Sequence, residues 1–104
     1  MIIHSVFFWL KDDISSDERA SFEQGVKMLG DIDHASAVWL GGPAATPQRA
    51  VVDASYDYAL TCMFSDVAAH DAYQDDPIHH AFIERCKALW SRVVIYDADA
   101  KGLG

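Results

Sequence analysis

The strongest constraint on the fold is the opening stretch "IIHSVFFWL", residues 2–10, which is apolar on both faces of an extended strand. Alternate residues of a strand point to opposite sides. One side carries Ile2, His4, Val6, Phe8 and Leu10, and the other carries Ile3, Ser5, Phe7 and Trp9. A strand with one solvated face alternates between apolar and polar residues. The stretch is therefore predicted to be a central strand that is covered on both sides.

The remaining segments predict a helix, two strands, a pair of helices and a last strand. The first helix spans residues 14–30, where Ser15 and Glu18 have the spacing of a capping box. The other predicted segments are strands over 36–42 and 56–65, a short helix over 66–74, a helix from Pro77 to about Trp90, and a strand over 91–99. This βαββαβ order predicts an α+β fold of the ferredoxin-like type, with a four-stranded antiparallel sheet.

The bare face of such a sheet predicts a partner subunit. Helices cover only one face of a ferredoxin-like sheet, yet the first strand is apolar on both faces. A chain of 104 residues also buries a limited core by itself. We therefore expect a homodimer in which two sheets pack together as a dimeric α/β barrel. The domain is expected to span residues 1–98, and residues 99–104 form a tail.

Composition excludes several classes of partner. The formal charge is −8 with only eight Lys and Arg residues, so no nucleic-acid partner is expected. No stretch is long and apolar enough to predict a membrane span. The first ten residues lack the charged start and the cleavage site of a signal peptide. Cys62 and Cys86 lie within apolar patterns and are expected to be reduced core residues, which favours a cytoplasmic location.

The stretch "YQDDPIHHAF", residues 73–82, contains the strongest candidate for acid–base chemistry. Asp76 and Pro77 are typical of a helix cap and a first helical position. At 100° per residue, His79 lies within the apolar stripe of the helix and His80 faces solvent. Burial and the positive end of the helix dipole both disfavour a charged imidazole at His79. A neutral histidine can act as a general base, although a core histidine with one hydrogen bond explains the same spacing.

Tyr73 and His4 are the other polar candidates. Tyr73 precedes the Asp-Asp-Pro break, and a turn there can return its hydroxyl toward the start of the next helix. His4 stands on a strand face of aliphatic and aromatic residues, so it needs a partner or a wet cavity. Tyr58 shares a strand face with Leu60 and Phe64, so it could be the partner of His4 or could help to form the cavity. Packing alone is an alternative explanation for each of these residues.

No metal and no cofactor are predicted. The pairs "HD" at 70–71, "DD" at 75–76 and "HH" at 79–80 have the composition of metal ligands. Adjacent histidines diverge on a helix, however, and Asp76 is already assigned to a cap. The sequence also contains no P-loop or dinucleotide-binding fingerprint.

A family resemblance covers nearly the whole chain. Its motifs are "IHSVFFWLKDD", "F..GV..L", "GGPA", "YDYALTCMF", "YQDDPIHHAF" and "W.RVVIYD", in this order. Together they resemble the stress-responsive dimeric A/B barrel (Dabb) family. The resemblance implies a ferredoxin-like protomer and a homodimer. It also implies that Tyr73 and His79, which match the catalytic pair of a plant polyketide cyclase in this family, are catalytic here.

The resemblance also implies a pocket between the sheet and the helices. Its expected substrate-binding residues are His4, Val6, Phe8, Tyr58, Leu60 and Phe82. The third-strand histidine of the cyclase is Tyr58 here, and the first histidine of its "HPAH"-like segment is Asp76. These differences imply a pocket of different shape and charge.

Two hypotheses about function follow. The first is a protein that binds a small carbonyl or phenolic molecule and performs cofactor-independent acid–base chemistry of a cyclase, lyase or isomerase type. The second is a non-catalytic stress-response or interaction protein, whose interior would be filled by side chains. A heme or metal protein is a third class, which an absorbance spectrum and metal analysis would test.

Overall fold

The computed structural model describes residues 1–104 and contains four strands, three α-helices and one short 3₁₀ helix. In chain order these are β1 (Ile2–Leu10), α1 (Ser16–Met28), the 3₁₀ helix (Leu29–Asp31), β2 (Ala37–Gly41), β3 (Tyr58–Phe64), α2 (Val67–Asp75), α3 (Pro77–Cys86) and β4 (Trp90–Asp99). The predicted βαββαβ order is confirmed.

The four strands form one antiparallel sheet in the order β2-β3-β1-β4. β1 is therefore central, as its two apolar faces predict. In the register of the sheet, His4 lies opposite Cys62 of β3 and Asp97 of β4. The arrangement is the ferredoxin-like α+β fold that the sequence predicts.

Local capping signals explain where the helices begin. The Ser15 hydroxyl accepts a hydrogen bond from the Glu18 backbone N–H at 3.1 Å, and the Glu18 carboxylate accepts one from the Ser15 N–H at 2.9 Å. α3 begins at Pro77, and the Asp76 carboxylate accepts a hydrogen bond from the Ile78 N–H at 2.8 Å. Both predicted caps are confirmed, and each satisfies a backbone donor that the helix leaves free.

The predicted end of the last helix, at about Trp90, is wrong. α3 ends at Cys86, and Trp90 is the first residue of β4, opposite Leu10 of β1. The Leu89 N–H donates to the Cys86 carbonyl at 2.9 Å, and the Leu89 carbonyl accepts from Lys11 at 2.9 Å. Leu89 is still buried, so the apolar pattern correctly identified a core residue outside the helix.

The core lies on one side of the sheet. His4, Val6, Phe8 and Leu10 of β1 are buried beneath the helices. The opposite face, which we call the open face, has no helix on it: Trp39 is 53% exposed and Tyr96 is 66% exposed, while Tyr56 of the loop before β3 packs against Phe7 and Trp9. Its location agrees with the sequence expectation that a second sheet covers it. No helix has the length and hydropathy needed to span a bilayer.

Gly25 allows α1 and α3 to approach closely. A Cβ atom at this position would lie 2.5 Å from the Cys86 Sγ, and both residues are buried. A Cβ at Gly30, in contrast, would meet no atom within 4 Å. The close approach therefore depends on the missing side chain of Gly25.

We expect Gly25→Ala to lower the free energy of unfolding relative to Gly30→Ala. Overpacking a core contact costs about 1–3 kcal/mol, which exceeds the gain in α-helix propensity of up to about 1 kcal/mol at Gly25, whereas an added methyl group at Gly30 meets no neighbouring atom. Urea denaturation of both variants measures the difference. Adding Cys86→Ala to Gly25→Ala removes the clashing sulfur, so the double variant should lose less stability than the two single effects added together. Equal stability of Gly25→Ala and Gly30→Ala would contradict the packing argument.

Candidate functional site

A cavity of about 210 Å³ lies between the sheet and the pair α2–α3. It is lined by His4, Val6, Phe8, Leu29, Leu60, Tyr73, Gln74, His79, Phe82, Ile83, Trp90, Val93 and Ile95. The lining therefore brings together both residues predicted to be catalytic and five of the six predicted to bind substrate.

Tyr58 is the predicted pocket residue that the structure places elsewhere. It starts β3 opposite Phe8, but its hydroxyl donates a hydrogen bond to the Glu23 carboxylate of α1. The Arg19 guanidinium lies over its ring, 5.2 Å from the ring centre. The register put Tyr58 on the correct face of the sheet, but α1 holds its ring beside Phe22, away from the cavity.

The break between α2 and α3 places Tyr73 beside His79. The Asp76 N–H donates to the Tyr73 carbonyl at 3.2 Å and ends α2, while the Asp76 side chain caps α3. Asp76 is extended between the two helices, and the Tyr73 and His79 rings meet edge to face with centres 5.1 Å apart. His80, one residue later, is exposed. The predicted separation of the two histidines is confirmed.

The imidazole of His79 is held toward the neutral form. Burial lowers its pKa, and the neighbouring His80, His4 and His70 lower it further, while the Asp76 carboxylate opposes them. The His79 side chain is half-buried, and no hydrogen bond contributes to its pKa. A ring nitrogen of His79 is therefore free to accept a proton from a molecule in the cavity.

Tyr73 is fully buried and presents its ring to the cavity. Burial raises the pKa of its hydroxyl, and the nearby Cys62 thiol raises it further. The Cys62 Sγ donates to the Tyr73 oxygen at 3.7 Å, and burial raises the pKa of this thiol to about 11. Both groups stay protonated near neutral pH, so the Tyr73 hydroxyl is a hydrogen-bond donor rather than a phenolate.

His4 has a partner that the sequence reasoning missed. Its Nδ1 pairs with the Asp97 carboxylate of β4, and its ring centre lies 6.3 Å from that of Tyr73. The antiparallel register of β1 and β4 sets His4 directly opposite Asp97. The strand order of a ferredoxin-like sheet puts the first and last strands side by side. Together with the alternation of residues along β4, this order could have predicted Asp97 as the partner.

The cavity combines an apolar wall with a few polar groups. The polar side chains that line it are His4, Tyr73, Gln74 and His79, and no Lys or Arg is among them. The neutral imidazole of His79 and the protonated phenol of Tyr73 thus line one mostly apolar cavity. Such a pair can remove a proton from carbon or oxygen while a hydrogen bond stabilises the developing oxyanion.

We expect His79 to titrate below 6.5, the value of an unperturbed histidine. Two-dimensional NMR of the histidine rings in the folded and the urea-unfolded chain measures this difference, and His79→Gln assigns the signal. The unfolded chain takes up this proton at higher pH than the folded chain, so acidification below about pH 6.5 should reduce stability through His79. A His79 midpoint above the unfolded value would contradict the buried, neutral imidazole.

The chain matches the family model "Stress responsive A/B Barrel Domain" (Dabb) over residues 2–100. A Dabb protein from Mesorhizobium loti with a ferredoxin-like fold is 26% identical, with 97% of each chain covered and a TM-score of 0.75. A dimeric ferredoxin-like protein of unknown function from Thermobifida fusca is 19% identical, with 93% of this chain and 88% of that chain covered and a TM-score of 0.76.

An enzyme has the same fold. The hydroxynitrile lyase of Passiflora edulis is 17% identical, with 93% of this chain and 90% of that chain covered and a TM-score of 0.75. No curated protein matches the chain. The match over residues 2–100, together with the observed sheet order, shows that this chain belongs to the stress-responsive A/B barrel (Dabb) family.

Proposed function

We propose that this chain forms a homodimer and binds a small neutral carbonyl or phenolic molecule in the cavity, where His79 and Tyr73 catalyse proton transfer. The observation that carries the proposal is the pairing of a half-buried, unbonded imidazole with a buried phenol at one mostly apolar cavity. In this proposal His79 is the general base and Tyr73 is the hydrogen-bond donor to the substrate oxygen.

The volume of the cavity supports binding of a small molecule. A cavity of about 150 Å³ suffices for benzene in another protein, and this one measures about 210 Å³. A single aromatic ring with a carbonyl or hydroxyl group therefore fits. The interior of a purely structural protein would be filled by side chains, so this space favours the ligand-binding proposal over the non-catalytic alternative.

The polarity of the cavity supports a neutral substrate. A bound carboxylate or phosphate needs a cationic partner, because an unpaired charge in an apolar site is costly. The cavity lining has no Lys or Arg, and the Asp97 carboxylate lies beside His4 at its edge. An aldehyde, ketone or phenol requires only a hydrogen-bond donor for its oxygen.

The proposed step is enolisation. His79 takes a proton from the carbon next to the carbonyl group, and the electron pair of that C–H bond moves onto the carbonyl oxygen. The Tyr73 hydroxyl donates a hydrogen bond to this oxygen as its charge develops. The protonated His79 then returns a proton to carbon or to oxygen. The same first step begins an intramolecular aldol ring closure, so the pair also suits a cyclase.

The hydroxynitrile lyase with this fold suggests a second substrate for testing. Cleavage of a hydroxynitrile removes a proton from a hydroxyl group and releases an aldehyde and hydrogen cyanide. In that reaction His79 would accept the hydroxyl proton as the bond to the nitrile carbon breaks, and would return the proton to the departing cyanide. The two chains are 17% identical, so the comparison only suggests a hydroxynitrile as a test compound. The reason to expect a reaction is the chemistry of the cavity.

The homodimer and a cytoplasmic location are also part of the proposal, and each rests on its own observation. The open face is apolar and carries exposed aromatic residues, and a related structure is described as dimeric. Cys62 and Cys86 are free, buried thiols. Such thiols suit the reducing conditions of the cytoplasm.

Deuterium exchange into 2-indanone, a neutral bicyclic ketone, tests the proposal. The protein is incubated with the ketone in D₂O, and loss of the α-proton signal is followed by ¹H NMR. We expect exchange faster than in buffer alone and saturation of the rate with ketone concentration. Mandelonitrile cleavage is measured in parallel. If neither compound binds or reacts, and a thermal-shift screen of small phenols and ketones finds no ligand, the proposal is wrong.

A further inference from the structure

We propose that His4, His70 and Asp97 form a binding site for a divalent transition-metal ion, with zinc as the best fit. One potential ligand atom of each residue lies within 4.8 Å of those of the other two. The three residues belong to β1, α2 and β4, so no motif in the sequence joins them. His4 also lines the cavity described above, so the proposed metal site lies at the edge of that cavity.

The chemistry of the three ligands suits zinc. Zinc binds imidazole nitrogen and carboxylate oxygen, and its catalytic sites use three protein ligands with one open position. His4 and Asp97 are already paired through Nδ1 and a carboxylate oxygen, so two of the three ligand groups lie side by side. Two neutral histidines and one carboxylate leave a bound divalent ion with one net positive charge. The chain has a formal charge of −8, so adding a positive charge at this site is electrostatically favourable.

His70 is oriented for this role. Its ring centre lies 5.1 Å from that of His4 and 5.5 Å from that of Phe64. The Asp71 carboxylate pairs with the His70 Nδ1 at 3.0 Å, which leaves Nε2 as the ligating nitrogen. Histidines that bind metals commonly have such an outer carboxylate, which sets the ring orientation.

Small side-chain movements are enough to close the site. Ligands of tetrahedral zinc at about 2.0–2.1 Å lie roughly 3.4 Å from one another, compared with the 4.8 Å limit here. The His4 side chain is 3% exposed, whereas the Asp97 side chain is 47% exposed and the His70 side chain is 21% exposed. Asp97 and His70 can therefore move toward His4, and the exposed side gives the ion its entry path.

Isothermal titration of the tag-free protein with zinc tests the site, and the absorbance of bound cobalt reports the coordination. We expect one ion per chain. His70→Ala and Asp97→Asn should each weaken binding by more than about 10-fold, since even loss of an outer partner costs about 10–100-fold. Asp71→Asn should weaken binding less than either. Exposed His80 and His34 are the matched controls, and their substitution by alanine should leave binding unchanged. Circular dichroism confirms that each variant is folded.

Two outcomes would overturn this site: no binding of zinc or cobalt, or binding that survives both His70→Ala and Asp97→Asn. The result is separable from the proposed acid–base function. His70 and Asp97 do not line the cavity, and His79 is not a ligand, so His79→Ala should retain zinc binding while it loses proton transfer. Zinc should also raise the melting temperature of the wild type and not that of His70→Ala.

Discussion

Replacing His79 with alanine should lower the rate of protein-catalysed deuterium exchange into 2-indanone by about 100-fold or more, the contribution typical of a positioned general base. The imidazole is the group at the cavity with a lowered pKa and a free ring nitrogen. Alanine removes the proton acceptor, whereas the apolar wall and the Tyr73 hydroxyl remain. The exchange rate per mole of protein, measured by ¹H NMR at saturating ketone, gives the effect.

The adjacent histidine is a natural control for this substitution. His80 differs from His79 by one position, is exposed and lies outside the cavity lining, so His80→Ala should exchange at the wild-type rate. Tyr73→Phe retains the ring and removes the hydrogen bond to oxygen, which is expected to cost about 100-fold, as loss of one oxyanion donor does. Equal losses in His79→Ala and His80→Ala would contradict the assignment of the base.

Placing charges on the open face should convert the protein from dimer to monomer. The double variant Trp39→Glu, Tyr96→Glu puts two carboxylates on two strands of this face, at side chains that are exposed within one chain. An uncompensated buried charge costs about 3–5 kcal/mol, which weakens association by about 100-fold to 1000-fold or more for each site. Light scattering during gel filtration should give twice the chain mass for the wild type and one chain mass for the variant.

Val51→Glu is the matched control for the open-face variant. Val51 is 82% exposed and lies in the loop between β2 and β3, so this substitution adds a carboxylate outside the sheet. It should leave the dimer intact. A wild type that runs as a monomer at micromolar concentration, or a double variant that remains dimeric, would remove the two-sheet barrel.

Most of the fold could be predicted because its signals are local. The two apolar faces of β1 require a central strand, and the caps at Ser15 and Asp76 fix the starts of two helices. The end of α3 was harder to predict. Leu89 continues the apolar periodicity of the helix. Its N–H, however, bonds to the Cys86 carbonyl in a turn, and its carbonyl accepts from the Lys11 N–H, so Leu89 lies between α3 and β4.

The site could be predicted only in part. Helical periodicity separated His79 from His80, because the two residues lie on one helix. The partner of His4 depends on the pairing of the first and last strands, and it was missed because Asp97 is far away in sequence. Tyr58 shows the opposite error: its strand face was correct, but the Glu23 and Arg19 side chains of α1 determine where its ring lies.

The pH dependence of deuterium exchange tests the central claim most directly, because only neutral His79 can accept the proton. The rate catalysed by the wild type should rise with pH and level off above the pKa of His79, which lies below 6.5. The midpoint of this profile should equal the His79 midpoint measured by NMR, and the profile should be absent in His79→Ala. A profile that follows the buffer reaction, or that persists in His79→Ala, would contradict the account.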